Sequence, residues 1–294
     1  MISNADKPFS KEESLSALNP YVRLWFERNF SDLTPPQLYS FKLIGEGKNL
    51  LISAPTGSGK TTTCYAMTGL VPHSLMGAMA GTVIIAGMDS QQTPMHDLCL
   101  KVGLVFDNPD YQFSQGTVEE EVAFGLENRG VSPDAMPGLI TEALGIVGLS
   151  GLEKRSPFEL SGGQQQRLAI SSILVVKPDL LVLDEPTSFL DPEGKNEVYR
   201  TMSRLNKEGK TIVIADHEVE LMAEICDRLL VLNHGEIFML GETKDILSKV
   251  AELKGIGLRV PQVTEVVEGL RLDDESLPVT VEEGVSYLTG KVKR

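Results

Sequence analysis

The sequence predicts an α/β fold, a mostly parallel sheet covered by helices on both faces. Three features point there. Short runs such as NLLISA (49–54), LLVL (180–183) and TIVIAD (211–216) are almost wholly apolar, which suits strands buried on both faces. Segments with helical spacing of apolar residues alternate with them. A glycine-rich turn separates the first run from the helix that follows it.

In chain order, residues 1–19 are polar and expected to fray, and PYVRLWFERNF (20–30) has helical spacing. A second helix is expected over 33–47, where Thr34 can cap, Pro35 suits the first turn and Gly45 or Gly47 ends it. The strand 49–54, the glycine-rich loop and a helix from about Lys60 to Leu70 come next. GTVIIAG (81–87) and KVGLVF (101–106) read as strands. Helices follow over 117–128, where Thr117 and Glu120 have capping-box spacing, and around 133–148 and 162–176. Strand and helix then alternate: 180–183, about 192–207, 211–216 and about 218–226. RLLVLNHGEIFML (228–240) reads as a hairpin turning at Asn233–Gly235, and the tail from 241 is helix or loop.

A chain of 294 residues with 41% hydrophobic and 23% charged residues is an ordinary globular protein with room for a sizeable core. Its net charge of −14 opposes passive docking on nucleic acid or anionic lipid, so no nucleic-acid partner is expected. Cys64, Cys99 and Cys226 are scattered, without metal or redox spacing, and are expected to be reduced buried thiols of a cytosolic protein. The N-terminus lacks the apolar run of a signal peptide, and no window approaches the apolar length of a membrane span. A membrane role therefore needs a partner subunit.

APTGSGKT (54–61) matches the Walker A pattern except at its first position, where Ala54 stands for glycine. Gly57 and Gly59 let the backbone curl so that its N–H groups face phosphate oxygens, and the next helix offers its positive end to the same anion. The nucleotide-binding set is Ala54, Pro55, Thr56, Gly57, Ser58, Gly59, Lys60, Thr61 and Thr62. In it Lys60 supplies charge to the β- and γ-phosphates and Thr61 a hydroxyl to Mg²⁺.

The run DLLVLDEPTSFLD (179–191) ends a strand in two carboxylates. Asp184 is placed to hold Mg²⁺, and Glu185 to polarise the attacking water. LSGGQQQRLAI (160–170) puts two glycines and a capping Ser161 before a helix, a second anion cradle. One triphosphate does not need two cradles. A head-to-tail dimer explains both, with Ser161, Gly162 and Gly163 of one chain on the γ-phosphate held by the other.

With these motifs the chain resembles the ATP-binding subunit of ABC transporters, from about Asn49 to Gly241. The resemblance implies a P-loop NTPase (RecA-like) core over 49–241 with an inserted helical subdomain over about 107–176, a C-terminal tail over 242–294, and ATP and Mg²⁺ as ligands. It implies that Gln164 joins the second cradle, that Ser188–Asp191 is a loop crossing the dimer seam with Asp191 at the nucleotide, and that His217 contacts the γ-phosphate. TGLVPH, VGLVFDNPDYQF, TVEEEVAFGLEN and the tail GLRVPQVTEV…LPVTVEEG are similar to the energy-coupling-factor group, which imports vitamins and cobalt or nickel ions. That implies a homodimer or a heterodimer with a paralogue, a transmembrane coupling subunit, a substrate-binding membrane subunit, and a peripheral position on the cytoplasmic face of the membrane.

Two departures stand out. The family has glutamine after the strand VGLVF, as a Mg²⁺ ligand; here it is Asp107, which ligates with an added charge and a shorter arm, while Gln112 lies five positions on. In 1–48 helices are expected in place of the family's N-terminal antiparallel strands. Residues 25–61 instead resemble the opening of a superfamily-2 helicase, whose aromatic and Q-motif glutamine match Phe30 and Gln37 as adenine-binding residues. Two other readings follow from these departures: a nucleotide-binding protein impaired in hydrolysis or coupling, and a nucleic-acid-dependent motor.

Overall fold

The computed structural model describes residues 50–53, 57–75, 77, 79–270 and 277–292. The helices expected over 20–30 and 33–47, and Phe30, Gln37, Ala54, Pro55 and Thr56, lie outside the described residues.

Strand β1 (Leu50–Ser53) leads through the glycine loop into α1 (Lys60–Met67), which stops earlier than expected because Gly69 turns left-handed at φ 78° before a short helical turn, α2 (Leu70–His73). The expected strand over 81–87 shrinks to β2 (Ile84–Ile85). Among the described residues it pairs only with β3 (Met88–Asp89), apart from the main sheet. The reason is local: Ala86 and Gly87, both at positive φ, close a two-residue hairpin there.

A short α3 (Met95–Leu98) precedes β4 (Val102–Val105). Three helices follow, α4 (Val118–Glu127), α5 (Met136–Val147) and α6 (Gly162–Leu174). Then come β5 (Leu180–Asp184), α7 (Pro192–Lys207), β6 (Thr211–Ala215), α8 (Val219–Ile225), β7 (Arg228–Asn233) and β8 (Glu236–Glu242). The tail carries α9 (Thr243–Leu247), α10 (Val250–Gly255), α11 (Gln262–Gly269) and α12 (Val281–Val292).

Among the described residues a six-stranded sheet runs β4-β5-β6-β1-β7-β8, parallel except for the antiparallel β8. The β7–β8 turn is the expected one, with His234 and Gly235 at positive φ. The thin alternation of side chains across the pleat explains the wholly apolar strands. Leu181 and Leu183 face the cluster formed with α4–α8, whereas Leu180 and Val182 face the cluster under α1 and β2. Burial on both faces leaves the strand ends as the places where polar chemistry can sit.

Cys64 and Cys226 are buried free thiols as expected, but Cys99 is exposed. It caps the C-terminus of α3, whose Leu98 is the residue that turns into the core. Among the described residues, no helix is long and apolar enough to cross a membrane.

Candidate functional site

The site forms at the carboxyl edge of the neighbouring strands β5, β6 and β1, where Asp184 pairs with Ala215 and Ala215 with Ile52. Crevices outside the carboxyl ends of parallel strands are where α/β folds bind ligands. Gly57 and Gly59, at φ 81° and 94°, supply the left-handed backbone that the loop needs. Helix α1 then begins at Lys60, and its first amides have no partner within the helix.

Lys60 is buried, yet its ammonium reaches two groups from other strands. Its Nζ lies 2.9 Å from Nδ1 and 2.8 Å from Nε2 of His217, and 3.2 Å from Glu185 Oε1. His217 Nε2 is 2.9 Å from the same Glu185 oxygen. Both ring nitrogens of His217 thus lie within hydrogen-bond distance of Lys60, and Nε2 lies within the same distance of Glu185.

Glu185 is held from several sides. Its backbone is left-handed at φ 44°, and its N–H donates to the Ala215 carbonyl at 2.7 Å. Its Oε2 accepts from the Ser188 hydroxyl at 2.9 Å. Burial pushes its carboxyl up, but the Ser188 hydrogen bond and the Lys60 charge outweigh this and hold it below the ordinary value. A carboxylate kept ionised and oriented is what a general base requires.

Asp184 differs. It ends a fully buried strand, and its Oδ1 has no hydrogen-bond partner among the described residues. Burial, against a hydrogen bond from Thr61 and together with the charges of Glu185 and Asp107, raises its carboxyl to about 6. Two hard oxygen donors, the Thr61 hydroxyl and an orphaned carboxylate oxygen, suit Mg²⁺. Among the described residues no group of three or more His, Cys, Asp or Glu is placed to hold a metal alone. Mg²⁺ commonly takes one or two carboxylates and completes its shell with phosphate and water, so the residues present fit it.

The second cradle lies at the start of α6. Ser161 Oγ accepts from the Gln164 N–H, and Gln164 Oε1 accepts from the Ser161 N–H, a complete capping box. Both side chains are thus committed to closing the helix end, while Ser161 and Gly162 stay exposed. Gly163 is buried instead: a Cβ there would meet Gly194 Cα at 3.1 Å, so α6 and α7 touch backbone to backbone. Asp191 is the N-cap of α7, its Oδ1 accepting from Gly194 N–H at 2.8 Å.

The loop after β4 is clamped by two glutamines. Gln112 Oε1 accepts from Phe106 N–H at 3.0 Å, and Gln166 donates to the Phe106 carbonyl at 3.2 Å. They hold the backbone from which the half-buried Asp107 projects, near enough for its charge to act on Asp184.

The structure therefore brings Lys60, Thr61, Asp184, Glu185 and His217 together, and keeps Ser161–Gln164 and Asp191 at a separate cradle on the same chain. Thr62 is exposed on α1 and Ser58 is buried in the loop. Reading the sequence missed Gln166, Ser188 as a partner of Glu185, and Asp216, which bonds to the backbone of His217 at 2.6 Å. The signal for Asp216 was present: a carboxylate closing an apolar strand.

Residues 40–188 match the family model described as ABC transporter. A Pyrococcus horikoshii relative named as an ABC transporter ATP-binding protein is 45% identical over 235 residues, covering 80% of this chain and 82% of that protein. The energy-coupling factor transporter ATP-binding protein EcfA of Methanothermobacter thermautotrophicus is 36% identical over 259 residues, covering 87% of this chain and 82% of that protein. The solved structure of cbiO1 from Clostridium perfringens, described as part of the ABC transporter complex cbiONQ, superposes with a TM-score of 0.64. It is 28% identical and covers 76% of this chain and 88% of its own.

Proposed function

We propose, from the premise that this chain belongs to the ABC transporter ATP-binding family, how its site works and which transporter it powers. As a family member it is an ATP-binding, ATP-hydrolysing transporter subunit. The transporter is an importer of the energy-coupling-factor type, a reading supported by the likeness to EcfA and cbiO1.

The observation that carries the mechanism is the meeting of Lys60, Glu185 and His217 from three elements at one strand edge. The loop amides and the α1 N-terminus bind the phosphates, and Lys60 leaves Glu185 to pair with the β- and γ-oxygens. Glu185 then orients water for in-line attack and takes its proton, and His217 donates to the γ-phosphate. Thr61, Asp184 and Asp107 hold Mg²⁺, which when bound neutralises charge on the phosphates. Ser161, Gly162, Gly163 and Gln164 of a second chain close the site, with Asp191 at the seam. The partner is a second copy or a paralogue.

A transmembrane coupling subunit docks beside the loop after β4, where Tyr111 is 78% and Phe158 63% exposed and Phe113 stacks edge-on against Phe158. A substrate-binding membrane subunit completes the complex, which places the chain peripherally on the cytoplasmic face of the membrane. Residues 242–294 serve dimer contacts. At the N-terminus, Phe30 and Gln37 hold adenine.

Glu185→Gln retains nucleotide but removes the base, so ATP should shift the purified chain from monomer to dimer in light scattering. A monomer of unchanged mass with and without ATP overturns the reading in which two copies of this chain share the site. The second reading, impaired hydrolysis, is favoured by Asp107; a steady-state ATPase rate abolished by Lys60→Ala removes it.

A further inference from the structure

Asp216 follows the apolar strand β6 and is only 2% exposed. Among the described residues no Lys or Arg pairs with it, and its partners are neutral. Its Oδ2 accepts from the Thr187 hydroxyl at 2.7 Å and from the Tyr199 hydroxyl at 3.1 Å, and its Oδ1 accepts from the backbone N–H of His217 at 2.6 Å. Thr187 and Tyr199 are buried too, at 0% and 4% exposure.

We propose that Asp216 is a positioning residue for ATP hydrolysis, a buried tether that fixes the separation of Glu185 and His217. The contacts form a closed ring. Thr187 lies two residues after Glu185, in the loop whose Ser188 hydroxyl orients the Glu185 carboxylate. From Thr187 the ring passes through Asp216 to His217, whose Nε2 returns to Glu185 at 2.9 Å. Tyr199, on α7, anchors the ring to the helix that Asp191 caps. A buried carboxylate with no cation is costly to keep, and a role in packing alone is met as well by an apolar side chain. Burial accordingly pushes this carboxyl up, against its three hydrogen bonds.

The inference rests on the roles given above to Glu185 and His217, and the test separates the two. The measurements are steady-state ATPase kinetics and equilibrium binding of a fluorescent ATP analogue, on the full chain. Asp216→Ala should lower kcat on the order of 10- to 100-fold, because small misplacements of reacting groups cost that much, while the nucleotide Kd stays within about twofold. In a His217→Ala background the further loss should be under about twofold, since the tether acts through His217.

A folded Asp216→Ala chain with kcat within about twofold of the parent overturns the proposal. So does a loss that simply adds to that of His217→Ala, the mark of a general structural role. If Asp216→Ala does not fold, Thr187→Val and Tyr199→Phe decide: each removes one bond and keeps the side-chain shape, and an unchanged kcat in both refutes the tether. A His217→Ala chain at full rate refutes the role of His217 and the tether with it. A slow His217→Ala chain beside a fast Asp216→Ala chain refutes the tether alone.

Discussion

Asp184→Asn should make the metal-free protein more stable at neutral pH while disabling it. Asp184 is 3% exposed, so solvent does little to relieve its charge. Its carboxyl is raised from 3.8 to about 6, chiefly by burial. A folded-state value above the unfolded one means that the folded protein prefers the protonated form. That contribution is fully present below about pH 3.8 and is lost as pH rises to about 6. Above that the ionised carboxylate costs the native state about 3 kcal/mol, from some two pKa units at 1.36 kcal/mol each. Asparagine is isosteric and never ionises. In buffer with EDTA, the variant should gain about 3 kcal/mol at pH 7.5 and about 1 kcal/mol at pH 4.5. For a domain of this size the neutral gain is on the order of 5–10 °C in Tm. Scanning calorimetry at the two pH values is the assay, with Mg²⁺–ADP as a second arm. The parent should be stabilised by Mg²⁺–ADP more than by ADP alone, and the variant should not. A variant no more stable than its parent at pH 7.5, or equally stabilised at both pH values, refutes the burial argument.

Two further substitutions probe the frame of the site. Gly163→Val drives a side chain into the backbone of Gly194 and should destabilise the protein by about 1–3 kcal/mol, read as a lower urea midpoint; an unchanged midpoint shows that α6 and α7 can part at no cost. Asp107→Gln removes a charge that acts on Asp184, so the half-saturating Mg²⁺ concentration for hydrolysis should rise several-fold, about 1 kcal/mol. An unchanged Mg²⁺ dependence removes Asp107 from the metal end, and a kcat that rises about tenfold or more supports the reading in which Asp107 impairs hydrolysis.

Among the described residues, the strands of the main sheet, most helices and the turn at Gly57 and Gly59 were legible in the sequence because each is set by local pattern: apolar runs, capping spacing, glycines at left-handed turns. Lys60, Thr61, Asp184 and Glu185 could be read for the same reason, since a strand end, a loop and a helix start fix what neighbouring residues face. Local pattern misled at 81–87, where two positive-φ residues fold the chain back on itself, and at Cys99, where only the packing of Leu98 decides which residue turns inward. What the tertiary structure alone decided are the contacts between distant segments: Lys60 against His217 and Glu185, Gly163 against Gly194, and Thr187 and Tyr199 on Asp216. Lys60, Glu185, His217, Thr187 and Asp216 come together through the order β5-β6-β1, a property of strand pairing that no single segment carries, and the others through the packing of α6 and α7 on that sheet. The sequence by itself determined which charged and hydroxyl groups stand at the strand ends and loop turns. The sheet order decided which of them stand within hydrogen-bond reach, because that reach is measured across strands and not along the chain.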